Sequence, residues 1–172
     1  VNSMRKIAWI CRGNNNFLKA MNYYNSALAL AELINDKEVI YKINNGIGTV
    51  YQYKGDYESA LMQYFLAYET MVDLEILVRL GPQYGSIGMM YYYLGKYDKS
   101  LDFHKKSLEI HNQTNTEYGI ASALLQIGIT DRKIGNDSLA IESIEKSLSI
   151  LNNLDFKYGF LLARLNLFLL HK

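Results

Sequence analysis

His104 and Asp131 are the residues whose types most readily suggest chemistry. Each stands where other copies of the same sequence pattern carry an aromatic: Tyr24 and Tyr64 at the place of His104, Tyr51 and Tyr91 at that of Asp131. A carboxylate can orient an imidazole as a general base. Catalysis by such a pair needs a nucleophile, and no serine or cysteine is linked to it by any motif. A hydrogen-bonded polar pair, or two unrelated polar positions, is the plainer expectation. His104 and His111 lack a clear third or fourth metal ligand. The single Cys11 rules out an internal disulfide framework and a cysteine-based zinc site. Gly13-Asn14-Asn15-Asn16 lacks the lysine and hydroxyl residue of a phosphate loop. Tyr91-Tyr92-Tyr93 could stack bases, but such a platform needs a basic groove, and a net charge of +1 argues against one. No residues converge on catalysis, so the chain reads as a non-enzyme without cofactor or metal. A helical enzyme is the remote alternative.

The elements that carry these residues are read from periodicity. Hydrophobic residues make up 49% of the 172 residues and charged ones 20%, a globular composition. Tyr57, Ala60, Leu61, Tyr64, Ala67, Tyr68 and Met71 follow the i, i+3, i+4, i+7 spacing of one helical face. With one proline, Pro82, and long periodic runs between glycines, the chain is expected to be all-α. Gly48, Gly88 and Gly128 are 40 apart, as are Gly55, Gly95 and Gly135. A period of that size means stacked supersecondary units. The expected helices are, approximately, 2–12, 17–34, 38–53, 57–72, one within 77–94, 97–111, 117–134, 137–152 and 156–171. The repeats fall near 1–36, 37–76, 77–116 and 117–156, with a final helix over 157–171, in one domain.

The punctuation has a mechanism. Gly55, Gly95 and Gly135 fall just past a helix, where a left-handed residue ends it, and Asn15 takes that place in the first unit. Asp56 and Asn136 are expected to cap the helices that follow. Pro82 calls for a kink, or for a late start that puts it in the first turn.

At these residues the chain resembles the tetratricopeptide repeat family. The second unit carries Ile47-Gly48, Tyr51, Gly55, Tyr57, Ala60, Tyr64 and Ala67. The third has Ile87-Gly88, Tyr91, Gly95, Tyr97 and Leu101, with Ser100 and Ser107 at the small positions. The fourth has Ile127-Gly128, Gly135, Ala140, Ile144 and Ser147, and the first Ala8, Phe17, Ala20, Tyr24 and Ala27. The family's usual period is about 34, so the longer one here implies longer helices. Such repeats resemble those of bacterial peptide-sensing regulators. The resemblance implies a right-handed α-solenoid of antiparallel helix pairs, about nine helices, with a concave face lined by the first helix of each pair.

It also implies a ligand. Peptides in this family usually lie along that face, where the matching positions are Arg5, Trp9 and Arg12, then Asn45, Thr49, Gln52 and Tyr53, then Met89, Tyr92 and Tyr93, and finally Gln126, Ile129, Arg132 and Lys133. Asn and Gln can pair with a peptide backbone, and Tyr and Trp give large contact area at low entropy cost. The carboxylate clamp of some relatives would fall on Arg5, Trp9, Gly46, Gly85 and Met89; one cation is too few. The expected function is a protein- or peptide-binding module, the sensory or regulatory segment of a larger bacterial signalling protein. An assembly scaffold or co-chaperone-like adaptor is the alternative. No stretch reaches the 18 apolar residues of a membrane span. The sequence does not place the compartment: the cytoplasm is favoured, with the periplasm open if the parent is a membrane-bound sensor. The apolar last helix, with Phe160, Leu162 and Leu169, suggests that the chain continues beyond its ends or associates with another copy.

Overall fold

The computed structural model describes residues 1–154 and 156–170. Among them are nine α-helices and no strand. They are α1 (Asn2–Gly13), α2 (Phe17–Leu33), α3 (Lys37–Tyr53), α4 (Tyr57–Asp73), α5 (Leu77–Tyr93), α6 (Tyr97–Gln113), α7 (Glu117–Lys133), α8 (Asp137–Asn153) and α9 (Lys157–Leu170). His171, the expected end of the last helix, lies outside the described residues.

The 40-residue period has a simple composition. Each helix from α2 to α8 is 17 residues long, and each turn between them is three. The middle residue of every such turn is left-handed: Asn35 (φ 51°), Gly55 (76°), Glu75 (54°), Gly95 (71°), Asn115 (50°) and Gly135 (84°). Asn15 (57°) does the same after α1. The next residue then donates its N–H five residues back, as in Asp36 N to Ala31 O, Asp56 N to Tyr51 O, and Lys96 N to Tyr91 O. This bond satisfies a carbonyl that the helix end would leave orphaned. Glu75 has neither glycine's freedom nor asparagine's local tolerance and costs about 1 kcal/mol there.

Helix starts are less uniform. Asn16, Asp36 and Asp56 accept from the backbone N–H of Lys19, Val39 and Ser59. A side-chain hydrogen bond from Ser59, and after it this backbone bond, hold the Asp56 carboxyl below its ordinary range. Asn136, expected to act likewise, makes no side-chain cap. Its amide donates to Asp131 Oδ1 at 3.2 Å instead. Pro82 lies in the second turn of α5, which starts at Leu77 and not late. The ring removes the bond to the Val78 carbonyl. Both residues are exposed, so water can take that place.

The chain divides into two compact units, Val1–Leu77 and Val78–Lys172. In the first, Ala8, Ala20, Tyr24, Ala27, Ala31, Val39, Ile43, Ile47 and Val50 form a continuous core. In the second, Ala121, Leu125, Ile144, Leu151 and Ala163 do so. Small residues set how closely paired helices approach. Ala20, Ala60, Ser100 and Ala140 are fully buried. A Cβ on Gly48 would stand 3.3 Å from the Ala60 carbonyl and 2.8 Å from the Tyr64 ring. One on Gly128 would stand 2.9 Å from the Ala140 carbonyl. Ser107 and Ser147 do more than substitute for alanine: their hydroxyls donate to the carbonyls of Gly81 and Ala121, each at 2.7 Å. No helix among the described residues is long and apolar enough to cross a membrane.

Candidate functional site

The residues expected to line a groove sit on the first helix of each pair. In the first unit they gather around two buried tyrosines. The Tyr24 ring runs against Gly46, where a Cβ would meet its hydroxyl at 2.7 Å. Burial pushes the Tyr24 phenol up, against a smaller pull from Arg12 and Arg5. Tyr64 donates to Gln52 Oε1 at 2.7 Å and reaches Thr49 Oγ1 at 3.3 Å. Thr49 in turn donates to the Asn45 carbonyl at 2.8 Å. Thus Asn45, Thr49 and Gln52 form one half-buried polar track supported from behind by a core tyrosine. Burial also raises the Tyr64 phenol, against a smaller pull from the Thr49 bond and from Arg12. Trp9 is exposed on the same helix as Arg5 and Arg12. Tyr53, also exposed, stacks on Phe17 with ring centroids 6.1 Å apart.

The second unit is built differently. A cavity of about 300 Å³ is lined by α5, α6 and α7. Met89 and Gln126 contribute to its walls, with His104, Ser107 and His111 from α6 and Tyr118 from the start of α7. Of the other residues expected here, Tyr92 meets Tyr93 and Tyr97 edge-on at 5.7 and 5.6 Å. Ile129 packs against the core of α7, α8 and α9. Arg132 is half-buried, and its Nε finds no hydrogen-bond partner; the same holds for Arg5 Nε.

His104 and Asp131 do not pair. Both His104 ring nitrogens are buried without a hydrogen-bond partner, while Asp131 accepts from Asn136. Burial alone lowers the His104 pKa to about 4, so its ring is neutral at pH 7. His111 is lowered too, by the same cause. The His111 ring is held between two glycines: a Cβ on Gly81 would lie 2.8 Å from it, and one on Gly119 closer still. No group of three or more His, Cys, Asp or Glu side chains able to hold a metal occurs among the described residues.

His111, Tyr118 and the serines of the cavity were outside the sequence expectation. A signal for them exists. Position 111 corresponds to Ala31, Met71 and Leu151, and position 104 to Tyr24, Tyr64 and Ile144. Two apolar positions seven residues apart, on one face of one helix, both become histidine in a single repeat.

Antiparallel helix pairs of equal length, joined by equal turns and closed by glycine-to-small-residue contacts, define a helical repeat protein. Residues 83–153 match the model of the tetratricopeptide repeat family. Solved structures share the fold. BtubC (BKLC) from P. vanneervenii superposes with a TM-score of 0.85 at 19% identity, over 99% of this chain and 71% of that one. The signal transduction ATPase with numerous domains and a tetratricopeptide repeat sensor from Pyrococcus horikoshii gives 0.89 at 16% identity, over 95% of this chain and 26% of that one. Aspartyl phosphate phosphatase F from Bacillus subtilis gives 0.88 at 13% identity, over 98% and 44%. The chain therefore spans less than half the length of the last two. A sequence comparison with curated proteins finds no match.

Proposed function

We propose that this chain is a non-catalytic module that binds a protein or an extended peptide, and that it forms the sensory or regulatory segment of a larger bacterial signalling protein. One observation carries the reading. Stacking positions such as Gly48, Gly88 and Gly128 are kept from repeat to repeat, while the first-helix positions beside them change. Positions 12, 52, 92 and 132 hold Arg, Gln, Tyr and Arg, and positions 9, 49, 89 and 129 hold Trp, Thr, Met and Ile. Ile129 packs into the core and Tyr92 against Tyr97, but stacking does not require the change at the other positions, and ligand recognition would account for it. The polar track of Asn45, Thr49 and Gln52 suits peptide backbone, since each supplies hydrogen-bonding capacity on a preformed helix face. The sensor named in the Pyrococcus protein and the phosphatase from Bacillus, both similar in fold, add support from analogy. A random peptide display library panned on the protein tests it. Enriched peptides should lose binding to the Thr49→Ala/Gln52→Ala double variant. Enrichment that is unaffected by that change, or no enrichment, refutes the reading.

A second surface favours association between copies. Leu161, Leu165 and Phe168 form an exposed i, i+4, i+7 stripe on α9. We read it as a self-association face, and sedimentation velocity tests it: Leu165→Glu should turn a concentration-dependent dimer into a monomer.

A further inference from the structure

We propose that the cavity lined by α5, α6 and α7 is a receptor pocket for one tyrosine side chain of a bound peptide, with His104 as the partner of its phenolic hydroxyl. This rests on the peptide-binding reading and narrows it to a residue type.

The first ground is His104 itself. It is 1% exposed, it lines the cavity, and neither ring nitrogen has a partner. Buried polar groups in native structures are almost always paired, so an unpaired imidazole at a cavity wall marks a place for a ligand atom. The second ground is charge. The ring is neutral at pH 7 and therefore offers one donor and one acceptor. A phenolic hydroxyl matches both. Among the described residues the cavity lining holds no Asp, Glu, Lys or Arg. A charged side chain would give up its hydration there with no counter-charge. A purely apolar one would leave His104 unsatisfied.

The third ground is register. Tyr24 and Tyr64 stand at the repeat position of His104. The ring of Tyr64 passes Gly48, and its hydroxyl ends beside Thr49. The His104 ring lies against the equivalent Gly88. An imidazole is shorter than a phenol and stops below the counterpart of Thr49, which is Met89, a cavity-lining residue. The cavity thus lies where the rest of a tyrosine would have been. At about 300 Å³ it is at the small end of ligand sites, suited to one large side chain rather than a cofactor. Met89 and Tyr118 give it sulfur and aromatic surface for a ring.

The probes are p-cresol, toluene and p-toluate, followed by the Hε1 resonance of His104 in the whole chain. Saturable p-cresol binding in the millimolar range that shifts this resonance is expected, with toluene about tenfold weaker and p-toluate not binding over the same range. His104→Tyr supplies its own phenol and should abolish binding while keeping a native circular dichroism spectrum. Ser122→Trp, at a half-buried lining position on α7, should do the same without touching His104. Equal affinity for toluene and p-cresol, no shift of His104 at saturation, or binding undiminished in both variants would overturn the proposal. The peptide reading fails separately. Displayed peptides that bind without dependence on a tyrosine would remove the pocket's role and keep peptide binding. No displayed peptide, with p-cresol still bound, would remove the peptide as the source of the phenol.

Discussion

The neutral, buried His104 makes the second unit acid-sensitive in a defined window. Its pKa is about 4 in the folded chain against 6.5 when solvated, and desolvation is the cause. Between those values the unfolded chain holds more protons than the folded one, so stability rises with pH. The contribution is complete above pH 6.5 and is lost as pH falls towards 4. A shift of that size corresponds to roughly 3 kcal/mol over the full window, most of it between pH 7.5 and 4.5. Among the described residues no carboxylate is bonded to the ring, since Asp131 is engaged by Asn136 and both His104 nitrogens lack partners. His111 titrates in the same direction and adds to the slope. Urea unfolding at half-unit pH steps, with linear extrapolation, should show the wild type losing roughly 2–3 kcal/mol more than His104→Tyr over that range. The variant should retain only the share of His111 and the carboxylates. Parallel curves for the two proteins would refute the assignment of a buried, unpartnered imidazole.

Three other outcomes follow from the packing. Gly128→Ala gains about 1 kcal/mol of helix propensity. It also places a Cβ 2.9 Å from the Ala140 carbonyl, a backbone atom that cannot yield, so a net loss of about 1–2 kcal/mol is expected in thermal unfolding. Asp56→Ala should lower the thermal midpoint through its lost cap, more at pH 7 than at pH 2 because the carboxylate is the better acceptor. Asn136→Ala, with no side-chain cap to lose, should cost less in thermal unfolding than Asp56→Ala.

The helices were legible in the sequence because they follow from local chemistry. The 3.6-residue face of Tyr57 to Met71, and glycine or asparagine after each helix, need no knowledge of the rest of the chain. Expected and observed boundaries agree within two residues wherever both are described. Glu75 was not legible, since its left-handed backbone is imposed by the equal spacing of the turns against its own preference. Nor was the fate of Asn136: its sequence position suits a cap, but a buried Asp131 five residues earlier takes its amide. The same bond disposes of the His104–Asp131 pair, which register alone had suggested. At the candidate site, register placed Asn45, Thr49 and Gln52 on one face. Their linkage through the Tyr64 hydroxyl depends on which rotamer a core side chain adopts, and no periodicity encodes that.

Equal helix and turn lengths have a consequence for how such a chain can change. One residue inserted into a helix rotates everything after it by about 100° and sends the buried face outward. A block of 40 residues cut at the left-handed positions leaves every following side chain in phase. Segments 36–75 and 76–115 thus match in length and in turn geometry and differ in their interiors. One brings a tyrosine with its own hydroxyl tethered, the other a histidine at a cavity wall. Exchange of such blocks would alter what a repeat array recognises without altering how it is assembled.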